Sequence, residues 1–319
     1  MRLLRLEDDG EFSLTEYVGN NVPRYAILSH TWGADDEEVT FKDLTEGTGK
    51  SKAGYSKIQF CGEQAAKDDL QFFWVDTCCI DKSSSAELSE AINSMFRWYY
   101  KADKCYVYLT DVLVSGLDGT WKPVFQNSRW FTRGWTLQEL LAPTSVEFFS
   151  AEGKRLGDKI SLVQDIFNTT AISVQALQGS PLSQSSVDER MSWAESRKTK
   201  REEDAAYSLL GIFDIHMPLI YGERQEKAEA RLLKKIGKAP QDKLAFSARV
   251  TPAKGTKKVQ AKKFQGKLAA DDSWKEVTKS WKQKNRCCNC GSRDHWEQDC
   301  QEVCGKCTPL ASSPQYMRC

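Results

Sequence analysis

Four short apolar runs punctuate the first half of the chain, at Tyr25–Leu28, Phe72–Val75, Cys105–Leu109 and Val146–Phe149. Runs this short, rich in aromatic and β-branched side chains, predict strands. Between the first and second lies a helical pattern over Tyr55–Lys67, and between the second and third a longer one over Ala86–Lys101. In the latter, Leu88, Ile92, Met95, Phe96 and Tyr99 recur at three- and four-residue spacing, a stripe that faces a core. Strands alternating with helices predict a mainly parallel sheet with right-handed crossovers, covered on both faces. Beyond Ser150 the pattern turns helical, at Ile160–Asn168, Val187–Ser196, Glu203–Phe213 and Glu223–Ile236, and no further strand is expected.

Open sheets of this kind receive ligands outside the carboxyl ends of their strands. That rule selects Ser29, His30 and Trp32 after the first strand, Asp76 and Asp81 after the second, and Asp111 after the third. Cys78 and Cys79 follow the second strand as well. They read either as nucleophiles beside His30 and Asp76 or as small buried thiols, the role that free cysteine favours.

Charge adds a division that the apolar pattern lacks. The formal net charge of the 319 residues is only +1, yet Arg249 to Arg286 holds a dense run of lysine and arginine with Asp271, Asp272 and Glu276 as its acids. This stretch reads as a solvated basic linker. No apolar run reaches the roughly 18 residues that span a membrane, and the opening residues turn acidic by Glu7 before a signal-peptide core forms. The expectation is a chain without membrane contact, in the cytoplasm or alternatively the nucleus.

In a reducing compartment, clustered cysteine and histidine indicate a metal before they indicate disulfides. Cys287, Cys290, His295 and Cys300 follow the spacing C-x2-C-x4-H-x4-C, which closes a tetrahedron of three thiolates and one imidazole around Zn2+. The stretch CCNCGSRDHWEQDC resembles the CCHC zinc knuckle of nucleocapsid-type proteins. That resemblance implies binding of single-stranded nucleic acid, with Trp296 stacking on a base and the basic linker meeting phosphates. Cys288 and Asp294 depart from the aromatic and glycine usual in the family, so a protein-docking knuckle stays open as the alternative.

Several ordered blocks in the first 236 residues resemble the fungal heterokaryon incompatibility (HET) domain: YAILSHTWG from Tyr25, WVDTCCIDK from Trp74, SEAINSMFRWYYKADKCYVYLTDV from Ser89 and SRWFTRGWTLQELLAP from Ser128. A later block, REEDAAYSLLGIFDIHMPLIYGE from Arg201, resembles the segment that follows this domain in many members. The expected organisation is a HET domain over 1–150, a helical extension over 151–238, a basic linker over 239–285, the zinc knuckle over 286–302 and a cysteine-containing tail over 303–319. The resemblance implies a part in self versus non-self recognition and programmed cell death, with HET-domain self-association or an incompatibility protein as partner.

The HET domain in turn resembles TIR domains, which implies a TIR-like, flavodoxin-like α/β fold. YAILSHTWG resembles the TIR opening strand with its serine at Ser29, and WTLQEL resembles the box that carries the TIR catalytic glutamate, placing that role on Glu139. This implies cleavage of NAD, in which a carboxylate stabilises an oxocarbenium-like state. Ser29, His30, Trp32, Asp76, Arg133 and Trp135 are the expected NAD-binding residues, with Trp32 or Trp135 stacking and Arg133 on the pyrophosphate. A signalling module that assembles without chemistry, and a protein that is chiefly a nucleic-acid binder, are the alternative functions.

Overall fold

The computed structural model describes residues 1–19, 21–114 and 121–238. The linker, zinc knuckle and tail, with Cys287, Cys290, His295, Cys300 and Trp296, lie outside the described residues.

Seven strands form one sheet: β1 (Arg2–Leu6), β2 (Phe12–Glu16), β3 (Tyr25–His30), β4 (Phe72–Trp74), β5 (Lys104–Tyr108), β6 (Val146–Phe149) and β7 (Arg155–Asp158), in the order β2-β1-β4-β3-β5-β6-β7. The four expected strands are its parallel core, with β3 paired to both β4 and β5, and β5 to β6. Counted among themselves these four run 2-1-3-4, so the strand order reverses between β3 and β5, where a doubly wound sheet opens its crevice. β1 runs antiparallel to β2 and β4, and β7 antiparallel to β6. β7 corrects the expectation of no strand beyond Ser150. Its sequence RLGD has a single large apolar residue because it is an edge strand that pairs on one side only.

All six residues of β3 are buried, as a strand covered on both faces requires. Side chains still alternate between faces, and neighbouring strands show which face is which. Ser29 lies opposite Val107, two residues beyond Cys105, whose thiol meets the Glu139 carbonyl at 3.9 Å. His30 lies opposite Tyr108, whose ring centroid is 4.8 Å from that of Phe60 in the helix Tyr55–Lys67. Ser29 therefore faces the short buried helix Thr136–Leu141, and His30 the helix Tyr55–Lys67.

The helix Ser85–Lys101 begins where the Ser84 hydroxyl accepts from the Glu87 backbone, an N-cap that satisfies one of the free amides of the first turn. The segment around Gly211 packs against this helix, where a Cβ would lie 2.1 Å from that of Phe96. Asn93 adds a reciprocal pair of bonds to the Met217 backbone, at 3.2 and 3.1 Å. The helix expected over Glu203–Phe213 is broken into Asp204–Tyr207 and a 3-10 turn at Gly211–Phe213. Among the described residues no helix is long and apolar enough to cross a membrane.

Candidate functional site

The helix Thr136–Leu141 has all six residues buried, so Glu139 enters the interior with it and is 7% exposed. Its carboxyl accepts a hydrogen bond from the Ser29 hydroxyl, which in turn accepts from Trp130 Nε1 at 2.8 Å. Burial pushes the Glu139 carboxyl up to about 8, against the lowering effect of the Ser29 hydrogen bond. It is largely protonated at neutral pH and ionises just above, the range of a working general acid or base. Below this helix lies Arg197, whose Nη1 donates to the Arg133 carbonyl and the Thr136 hydroxyl, each at 2.9 Å. Burial draws this guanidinium down to about 10, with the Glu139 charge opposing.

On the other face of β3, His30 sits between two carboxylates without bonding either. Nδ1 is 3.9 Å from Asp76 Oδ1, and Nε2 is 3.8 Å from Glu38 Oε2 and has no hydrogen-bond partner among the described residues. Burial, aided by the Lys57 charge, pushes the imidazole down to about 3, so it is neutral. Glu38 is held instead by the Lys57 ammonium and by the Gly33 amide at 2.6 Å. Asp76 accepts from Trp32 Nε1 at 2.9 Å. A cleft of about 460 Å³ opens beside Trp32, with Glu38, Thr40 and Thr77 in its lining and Lys82, Lys200 and Arg201 supplying its positive charge.

The expected NAD-binding residues thus separate into three places. Ser29 joins Glu139 on one face; His30, Trp32 and Asp76 gather on the other. Trp135 is engaged elsewhere, donating through Nε1 to Asp204 Oδ2 at 3.2 Å. Arg133 is half-buried, its carbonyl held by Arg197 and its backbone bridged to Lys198. Neither lines the cleft, nor does Glu139. Asp111 is structural, its carboxylate accepting from the Ser128 hydroxyl at 2.7 Å and the Arg129 amide at 2.8 Å. Cys78 and Cys79 are buried free thiols, and the Cys78 thiol is pushed well up by its contact with Cys79 and by burial. Such thiols are poor nucleophiles.

Trp130, Arg197, Lys200 and Arg201 carry no signal by spacing. The last three lie in the polar stretch Arg197–Asp204, which reads as surface until the fold brings Lys200 and Arg201 beside Trp32 and Thr77 and sets Arg197 against Arg133 and Thr136. Among the described residues no three His, Cys, Asp or Glu side chains are grouped to hold a metal.

Residues 25–120 match the family described as heterokaryon incompatibility protein (HET). The chain is 58% identical over 269 residues to the vegetative incompatibility protein HET-E-1 of Podospora anserina, in an alignment covering 82% of this chain and 20% of that protein. It therefore spans about one fifth of that relative's length. No solved structure matches the chain. The family match includes Ser29, His30, Trp32, Asp76 and Lys82 and ends before Glu139.

Proposed function

We propose that this chain acts in fungal heterokaryon incompatibility, and that its α/β unit cleaves the nicotinamide–ribose bond of NAD through Glu139. The 58% identity to HET-E-1 supports the role. The observation that carries the chemistry is a buried carboxyl, bonded to Ser29 and held near pH 8, on the residue that the TIR resemblance selects. The 2-1-3-4 parallel order agrees with a TIR-like, flavodoxin-like core.

In the proposed step the C1′–N bond breaks and nicotinamide leaves with the electron pair. The ionised Glu139 stabilises the oxocarbenium-like ribose, and water adds to C1′ and releases its proton, giving ADP-ribose. Expression in a fungal cell tests the role: the intact chain kills or arrests the cell and Glu139→Ala does not. Equal survival of both would refute it.

Glu139 does not line the cleft, and its carboxyl already accepts from Ser29. These two facts favour a second reading, in which the unit signals by self-association or by binding an incompatibility protein, without chemistry. In either reading the proposed C-terminal knuckle is an accessory. Cys287, Cys290, His295 and Cys300 hold one Zn2+, on the support of the ligand spacing, and Trp296 contacts single-stranded nucleic acid, as the knuckle resemblance implies, with docking of a protein as the alternative.

A further inference from the structure

The cleft beside Trp32 carries more positive charge than the proposed chemistry uses. Lys82, from the loop after β4, has its ammonium 3.7 Å over the Trp32 ring and 3.9 Å from Asp76. Lys200 and Arg201 arrive from the extension on a strap anchored to the turn before Glu139. The Lys198 amide donates to the Thr132 carbonyl at 2.6 Å, and the Gly134 amide to the Lys198 carbonyl at 2.9 Å. The Arg201 guanidinium lies 4.2 Å from the Tyr221 ring centroid and, among the described residues, makes no ion pair. The Tyr221 hydroxyl is fixed in turn on Asp204 at 3.0 Å.

Two carboxylates share this lining, Asp35 and Glu38. Glu38 is neutralised from behind by Lys57, and Asp35 pairs with Lys200 where both side chains are more than half exposed. Exposed pairs of this kind are weak and exchange partners readily. A ligand with two adjacent anionic groups can therefore take over Lys200 while engaging Lys82 and Arg201. A single carboxylate would leave at least one of these cations unmatched. The forked guanidinium and the two ammonium groups suit phosphate oxygens, and the site lies at the carboxyl edge of parallel strands.

We infer that this cleft binds the diphosphate of a nucleotide, with Lys82, Lys200 and Arg201 as its phosphate-binding cations. The choice of nucleotide rests on the NAD reading; the charge arrangement does not. Gly134 is part of the device, because a Cβ there would lie 2.4 Å from Thr199 Cγ2 and push the strap away without altering any charge.

Titration calorimetry of the full chain with ADP-ribose and with inorganic pyrophosphate tests the assignment. Both probes are expected to bind, with affinity falling as salt rises. The double substitution Lys200→Met with Arg201→Met should weaken both by about tenfold or more and flatten the salt dependence. Gly134→Val should weaken both. The inference is overturned if neither probe binds the intact chain, or if the double variant, folded by circular dichroism, binds as the intact chain does. It is also overturned if NAD is cleaved with a KM that the double variant leaves unchanged. This binding pattern without nicotinamide release supports the cleft and removes the NAD reading.

Discussion

The Ser29 hydroxyl donates to the Glu139 carboxyl across 110 positions of sequence, joining the end of the first parallel strand to a six-residue buried helix. The next residue, His30, faces the opposite side of the sheet, toward Lys57 and Glu38. One strand end therefore supplies two chemically different environments: a carboxyl held protonated by burial and an imidazole held neutral by burial.

The protonated state of Glu139 ties stability to pH. The folded value of about 8 lies above the ordinary 4.5, so between these limits the folded chain keeps a proton that the unfolded chain has lost. This contribution is complete below pH 4.5 and is lost as pH rises toward 8, at about 1.4 kcal/mol per pH unit at most. Urea unfolding from pH 5 to pH 8 should show the intact chain losing stability relative to Glu139→Gln. A constant difference between the two would place the carboxyl at its ordinary value.

His30 works with the opposite sign. Its folded value of about 3 lies below the ordinary 6.5, so the unfolded chain binds the proton first and stability falls as pH drops from 6.5 toward 3. His30→Gln should remove this acid-side slope, again about 1.4 kcal/mol per pH unit at most. Between pH 4.5 and 6.5 the two slopes oppose each other, and the intact chain should show a broad plateau of stability there. Unfolding midpoints across the acid range check both statements.

The Lys57–Glu38 pair is almost fully buried, with side chains 9% and 8% exposed. Lys57→Met strands the Glu38 carboxylate without its partner and should cost about 3–5 kcal/mol by chemical denaturation. Adding Glu38→Leu should recover most of that loss. No recovery would show that packing, not charge, dominates the site.

Gly211 tests the docking of the extension. Gly211→Ala places a methyl 2.1 Å from Phe96 Cβ, a clash that side-chain rotation cannot relieve. The expected loss is about 1–3 kcal/mol, read as a lower urea midpoint with an unchanged slope.

Much of the core was readable from the apolar runs alone. The four parallel strands and the helix Tyr55–Lys67 emerge where their patterns predict them, because doubly covered strands must be continuously apolar. β1, β2 and β7 escaped, since edge and near-edge strands need apolar residues on one side only. Glu139 and Ser29 were singled out separately through the TIR resemblance, and the structure brings them into contact. The split between Ser29 and His30 follows from strand alternation, whereas their shared position at a strand end suggested a single site. Lys200 and Arg201 had no periodicity to mark them; their place over the cleft comes from two backbone hydrogen bonds to the turn before Glu139.

Release of nicotinamide from NAD by the concentrated full chain, followed from pH 6 to pH 9 alongside Glu139→Gln, tests the proposed chemistry most directly. Cleavage should rise with pH and level off above about 8, as the Glu139 carboxyl ionises, and be absent from the variant. No release at any pH, or equal release from Glu139→Gln, would contradict it.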